Sequence, residues 1–268
     1  MTQSDKITVP KIIEMKEKGE KIACLTAYDC VTASLFDASG IEIILVGDSA
    51  AMVFAGHDTT LPITMDQMLY HTQAVTRGVQ RALVIADMPF LSFQISPERT
   101  IENAGRFLQQ GRAAGVKIEG GEPVAETIRK IADIGIPVMG HLGLTPQSIQ
   151  SFGGYRLRGK SEVEADTIRR DAKSLEQAGV FAIVLEKIPA SLAAEVTKSV
   201  SIPTIGIGAG PDCDGQILVS PDMLGLFEAF KPKFVRQYAN LAESIREAAS
   251  RFMKDVKSGG YPSKEESY

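Results

Sequence analysis

Several polar residues end or interrupt runs that are otherwise apolar, and their types point to chemistry on a small acidic molecule. Asp48 directly follows Ile44-Leu45-Val46-Gly47 and is followed by Ser49. Asp87 follows Val84-Ile85-Ala86 and precedes Met88-Pro89. An aspartate in such a place often only caps the next turn. On adjacent strands, however, the two would bring a pair of carboxylates to one rim, where repulsion raises a pKa. A hard divalent cation removes that repulsion. Mg²⁺ commonly takes one or two carboxylates plus water and substrate oxygens. Asp48 and Asp87 therefore read as metal ligands. Glu119 reads equally as a third ligand, direct or through water, or as a salt-bridge partner.

Lys117 lies within Gly115-Val-Lys-Ile-Glu119. A lysine pointing into a core is costly unless paired. It could hold a substrate carboxylate, or form a structural ion pair with Glu119 or an aspartate. His141 stands between glycines in Met139-Gly-His-Leu-Gly143. It reads as a structural histidine or as a hydrogen-bond partner of a substrate oxygen or of the carboxylates. Glu186 follows five apolar residues, Phe181 to Leu185, which half-buries it and suits a general base near neutral pH. The segment Ile205–Gly210 carries alternate glycines. It could cradle a phosphate or let the backbone approach a flat ligand, and no Ser, Lys or Arg beside it decides between the two.

These residues need a scaffold that brings strand ends together. The apolar runs are Ile22–Ala27, Ile43–Gly47, Ala82–Asp87, Gly115–Glu119, Ile136–His141, Phe181–Glu186, Pro203–Gly208 and a weak Ile217–Val219. Helical stretches separate them, which predicts βαβ units and a parallel sheet with both faces covered. Ser96 and Pro97 open a helix running to Ala114. Ser161 caps Glu162–Ala178, which stops at Gly179. Asp222 begins a short eighth helix, Phe234–Lys257 forms an extra C-terminal helix, and the tail from Ser258 is expected to be loose. The expectation is a single (β/α)8 barrel over residues 1–268. The first turn lacks G-x-G-x-x-G, which weighs against a dinucleotide-binding sheet. In such a barrel Asp29, Asp48, Ser49, Asp87, Lys117, Glu119, His141 and Glu186 all fall at the C-terminal mouth, where barrel active sites sit.

The 268 residues suit one such barrel, and the net charge of −4 offers nothing to nucleic acid or an anionic membrane. No apolar stretch is long enough to span a bilayer, and Met1–Pro10 has no apolar core of a signal peptide. Cys24, Cys30 and Cys213 form no C-x-x-C pair, so a reduced cytoplasmic location is expected.

The ordered motifs resemble the ketopantoate hydroxymethyltransferase family. They are Leu-Thr-Ala-Tyr-Asp (25–29), Leu-Val-Gly-Asp-Ser (45–49), Gly-His-Asp-Thr-Thr-Leu-Pro (56–62), Ala-Asp-Met-Pro-Phe (86–90), Val-Lys-Ile-Glu-Gly-Gly (116–121), Gly-His-Leu-Gly-Leu-Thr-Pro-Gln (140–147), Phe-Gly-Gly-Tyr (152–155), Ile-Gly-Ile-Gly-Ala-Gly (205–210) and Asp-Gly-Gln-Ile-Leu-Val (214–219). The resemblance spans about Ile12 to Pro262. It implies a phosphoenolpyruvate/isocitrate lyase-like barrel that assembles as a homo-oligomer, typically a decamer. It also implies transfer of a hydroxymethyl group from 5,10-methylenetetrahydrofolate to 3-methyl-2-oxobutanoate, with Mg²⁺, in pantothenate biosynthesis. Carried onto this chain, the metal carboxylates are Asp48, Asp87 and Glu119, and the substrate contacts are Asp48, Ser49, Asp87 and Lys117. Glu186 is then the proton acceptor, and His141 is an active-site residue. Departures such as Ala50-Ala51 and Lys187-Ile188 fall in loops. The competing enzyme class is an Mg²⁺-dependent C–C lyase of the isocitrate lyase and phosphoenolpyruvate mutase type. Its Lys-Lys-Cys-Gly-His signature is absent.

Overall fold

The computed structural model describes residues 6–268; Met1–Asp5, half of the polar start, lie outside the described residues. Contacts divide the chain into two compact units, up to Val219 and from Ser220 onward.

The first unit is the barrel. Its strands are β1 (Ile22–Thr26), β2 (Ile43–Val46), β3 (Leu83–Asp87), β4 (Gly115–Glu119), β5 (Val138–Gly143), β6 (Ala182–Glu186), β7 (Thr204–Ile207) and β8 (Gly215–Leu218). They close in sequence order, every neighbour parallel. The weakest run in the sequence proves decisive for closure, since β8 pairs with both β7 and β1. Every residue of β2, β3 and β4 is buried, as a parallel sheet covered on both faces requires.

Helices cross between the strands, and their ends follow local chemistry. Helix Pro97–Gln109 begins as expected, with the Ser96 hydroxyl accepting from the Arg99 N–H at 3.3 Å. It ends before Ala114, because the chain must swing back into β4. Arg112 takes a left-handed conformation (φ 60°), and the Ala114 N–H already donates to Val84 O of β3. Helix Glu162–Ala178 has the expected limits, with Gly179 left-handed at its end. Met65–Gly78 links β2 to β3 behind a reciprocal Thr64–Gln67 capping box.

The second unit starts with one helical turn at Ser220–Met223, two residues ahead of its expected start. Its long helix spans Leu241–Ser258 and not Phe234–Lys257. The preceding chain is spent on turns: Val235 N–H donates to Pro232 O, and Tyr238 N–H to Met223 O. The helix's first N–H groups go to Leu224 O and Gly225 O. In the tail expected to be loose, Ser263 and Glu266 form a capping box, and the Tyr261 ring meets Phe252 edge-on. Among the described residues no helix is long and apolar enough to cross a membrane.

Candidate active site

β3 to β6 each deliver an ionisable side chain to the same place. Lys117 and Glu119 are two residues apart on β4 and so share a face. Strand register puts Asp87 beside Lys117 and Glu119 beside His141. Glu186 ends β6 opposite Gly143, whose positive φ and closeness to Glu186 O admit only glycine there. Asp48 lies just past β2, and its N–H donates to Asp87 Oδ2 at 3.2 Å. Asp48, Asp87, Lys117, Glu119 and His141 are all at most 5% exposed.

Lys117 is the hub. Its Nζ is 2.8 Å from Asp87 Oδ1, 3.8 Å from Glu119 Oε1 and 3.0 Å from His141 Nδ1. Burial opposes its charge, but Asp87, Glu119 and Asp48 outweigh burial and hold its pKa above the usual lysine value. Lys117 is therefore an ammonium, which offers only donors. Burial and Lys117 likewise lower the His141 pKa, while Glu119 and Glu186 lift it, to about 9. The 3.0 Å contact decides in favour of neutral imidazole, because Nδ1 facing an ammonium can only accept. The His141 proton then sits on Nε2, 3.2 Å from Glu186 Oε2.

The carboxylates divide into two kinds. Burial drives Glu119 up, yet His141, Lys117 and the Gln147 N–H leave it below the usual glutamate value. Its Oε2 accepts from Gln147 N–H at 3.0 Å, and its Oε1 faces the Lys117 ammonium at 3.8 Å. Asp48 and Asp87 behave oppositely. Burial, with Asp87 and Glu119 nearby, holds Asp48 well above the usual carboxylate range. Burial and Glu119 raise Asp87 despite Lys117. Asp87 Oδ1, Glu119 Oε1 and His141 Nε2 are buried without a well-aligned hydrogen bond. Such groups are costly unless something completes them.

An all-oxygen pair of crowded, buried carboxylates fits a hard cation such as Mg²⁺. Among the described residues, no three His, Cys, Asp or Glu side chains are arranged to hold an ion together. Of the expected triad, Asp48 and Asp87 are joined by the Asp48 N–H, and Glu119 lies on the far side of Lys117. Glu119 is held by Lys117 and the Gln147 N–H.

Ser49 Oγ is 2.9 Å from Tyr28 OH, which donates to Thr26 Oγ1 at 2.8 Å. Asp29 is not part of the cluster; it caps helix Cys30–Ala38 by accepting from Thr32 N–H. Two of the three glycines of Ile205–Gly210 have a packing reason. A Cβ on Gly206 would press on Cys213 and Gln216, and one on Gly210 would meet Ala190 at 2.4 Å. Sequence reasoning passed over Gln147, which the structure places in the cluster. Its one local signal is its place after Pro146, where the chain makes a helical turn directly behind β5.

The ketopantoate hydroxymethyltransferase family model matches residues 6–264. The 3-methyl-2-oxobutanoate hydroxymethyltransferase of Prosthecochloris aestuarii is 58% identical over 266 residues, covering 98% of this chain and 96% of its own. The protein of the same name from Chlorobaculum tepidum is 56% identical with the same coverage. Among solved structures, 2,3-dimethylmalate lyase, of the PEP mutase/isocitrate lyase superfamily, superposes with a TM-score of 0.61 at 16% identity, covering 97% of this chain and 91% of its own. That likeness is one of fold. With more than half of its residues shared with these relatives along nearly the whole length, the chain belongs to the ketopantoate hydroxymethyltransferase family.

Proposed function

We propose that this chain transfers a hydroxymethyl group from 5,10-methylenetetrahydrofolate to 3-methyl-2-oxobutanoate, giving 2-dehydropantoate, and that Mg²⁺ is its metal. The observation that carries the reading is the buried Lys117–Asp87 pair beside Asp48, joined through His141 to Glu186. A cation held by Asp48 and Asp87 would supply Lewis-acid polarisation of the 2-oxo group. Glu119 serves through Lys117 and His141, or through a water. Lys117 presents a fixed positive charge to the substrate carboxylate. Ser49, tied to Tyr28, stands beside Asp48 as a further hydrogen-bonding group for the acid.

Glu186 accepts the proton from C3. Its side chain is 17% exposed, the most open of the four carboxylates that line the cluster, so it can meet a substrate entering from the mouth. His141 brings Nε2 to 3.2 Å from Glu186 Oε2, near enough to orient the base when the two align, and Lys117 fixes the tautomer that puts the proton there. The resulting enolate carbon forms a bond to the methylene carbon carried by the folate, both carbon–nitrogen bonds to that carbon break, one water supplies the hydroxyl oxygen, and tetrahydrofolate leaves with the protons on its nitrogens. The barrel wall supplies orientation and exclusion of bulk water beyond the one molecule the transfer consumes. Three free cysteines suit a cytoplasmic setting, and a homo-oligomer, as in the decamer the family resemblance implies, is the proposed assembly.

The test is turnover of 3-methyl-2-oxobutanoate with methylenetetrahydrofolate, with and without Mg²⁺. In parallel, Glu186→Gln is expected to slow deuterium exchange at C3 without folate by about 10²–10⁴-fold. Undiminished exchange would move the base elsewhere.

A further inference from the structure

Gln147 is buried, 6% exposed, in the turn Pro146–Ser148 that follows β5. Its side-chain nitrogen Nε2 donates to Asp48 Oδ2 at 3.0 Å and to Met88 O at 2.9 Å. Its Oε1 accepts from Gln94 Nε2 at 3.2 Å, and its backbone N–H donates to Glu119 Oε2 at 3.0 Å. One residue therefore grips the carboxylate after β2, the carbonyl next to Asp87 on β3, and the carboxylate ending β4.

The orientation of the amide is fixed by chemistry. Met88 O can only accept, so the atom facing it and Asp48 must be the NH₂ group. Both of its protons are used, and the opposite oxygen is held by Gln94. Asp48 Oδ2 is then an acceptor, engaged by Gln147 and left without its proton. Glutamine suits this place because it donates without adding charge to a cluster already rich in carboxylates. A glutamate would set an acceptor against Asp48, and a leucine would strip both Asp48 Oδ2 and Met88 O of their donor.

We infer that Gln147 is a positioning residue of the reaction, locking Asp48 so that its other oxygen, Oδ1, serves the cation, and keeping Glu119 turned toward Lys117 and His141. This rests on the proposed reading of Asp48 as a metal ligand. Gln94 supports it at one remove, by holding the amide.

The experiment uses the full-length chain, with Mg²⁺ titrated alone by calorimetry and turnover measured separately. Gln147→Leu is expected to weaken Mg²⁺ binding about 10–100-fold. It should lower kcat by a similar factor and leave the KM for the folate unchanged. The Asp48→Asn/Gln147→Leu double variant should bind Mg²⁺ no more weakly than Asp48→Asn alone, since Gln147 acts through Asp48. If Gln147→Leu does not fold, Gln147→Glu, of the same size, is expected to show the same losses, and Gln94→Leu a few-fold version of them. Wild-type Mg²⁺ affinity and kcat in a folded Gln147 variant, with Asp48→Asn impaired in both, would overturn this inference alone. Wild-type Mg²⁺ affinity in Asp48→Asn would overturn the metal reading, and this inference with it.

Discussion

Two groups of buried aspartate sit toward opposite ends of the barrel and are treated in opposite ways. Asp37, in the last turn of helix Cys30–Ala38, lies against the loop leading into β3. Its carboxylate accepts from the backbone N–H groups of Gln80 (2.9 Å), Arg81 (3.1 Å) and Ala82 (2.7 Å). Three neutral donors satisfy the charge, and the result is a clamp that fixes where β3 begins. Asp48 and Asp87, past and at the far ends of β2 and β3, are buried more deeply still. They receive one glutamine amide, one backbone N–H and one lysine, and they crowd each other. Burial of a carboxylate is therefore not by itself a sign of function. What separates the two is whether the fold completes the charge or leaves it for something else to complete.

The largest expected effect tests that division directly. Asp87→Asn keeps the shape and an acceptor for Lys117 while removing one charge. Turnover should fall by on the order of 10³-fold, with the urea midpoint unchanged or raised. Asp37→Ala should do the reverse. It leaves three backbone N–H groups without an acceptor, which costs roughly 3–5 kcal/mol of stability, while activity per folded molecule stays at the wild-type level. An Asp37 variant that folds well but is inactive, or a fully active Asp87→Asn, would break the comparison.

A smaller effect appears as pH dependence. Asp48 and Asp87 have pKa values raised above those of the unfolded chain, so the folded metal-free protein binds more protons than the unfolded one. Their contribution to stability is fully present below the free-aspartate value and is lost as pH rises through the folded values. His141, held neutral against the Lys117 ammonium, adds no loss in that direction. Glu119, lowered, works the other way and weakens the fold only in acid. Urea midpoints of metal-free protein should thus fall as pH rises above the free-aspartate range, and saturating Mg²⁺ should flatten the fall. A metal-free midpoint that rises with pH there would contradict the raised carboxylates.

Much of this was legible in the chain because it is local. Asp48, Asp87, Lys117 and Glu186 each stand out as a charge ending or breaking an apolar run, and a barrel puts such strand ends together. Strand ends were less legible. β5 was expected to stop at His141 but continues to Gly143, because Gly143 pairs with Glu186 on β6, a partner that no local pattern reveals. The helix after Pro97 stops early for a similar reason, the return into β4. Gln147 was illegible in its role, since its partner Asp48 lies 99 positions away and an amide after proline resembles any turn. The division of labour between Glu119 and the aspartates likewise depends on distances that spacing does not encode.

The smallest effect sharpens the comparison with a third carboxylate. Asp222, in the turn Ser220–Met223 of the second unit, has its pKa lifted to about 6 by burial alone. It is about half buried, so solvent screening keeps its effect on stability modest. The folded pKa is raised, so its contribution is present below the free-aspartate value and lost as pH rises through about 6. Asp222→Asn should then leave the urea midpoint unchanged at pH 4 and raise it slightly at pH 8. The carboxyl carbon resonance of Asp222 should titrate near 6 whether or not Mg²⁺ is present, whereas those of Asp48 and Asp87 should move when the metal is added. A midpoint at pH 8 that falls on Asp222→Asn would mean that its charge is satisfied after all, as that of Asp37 is.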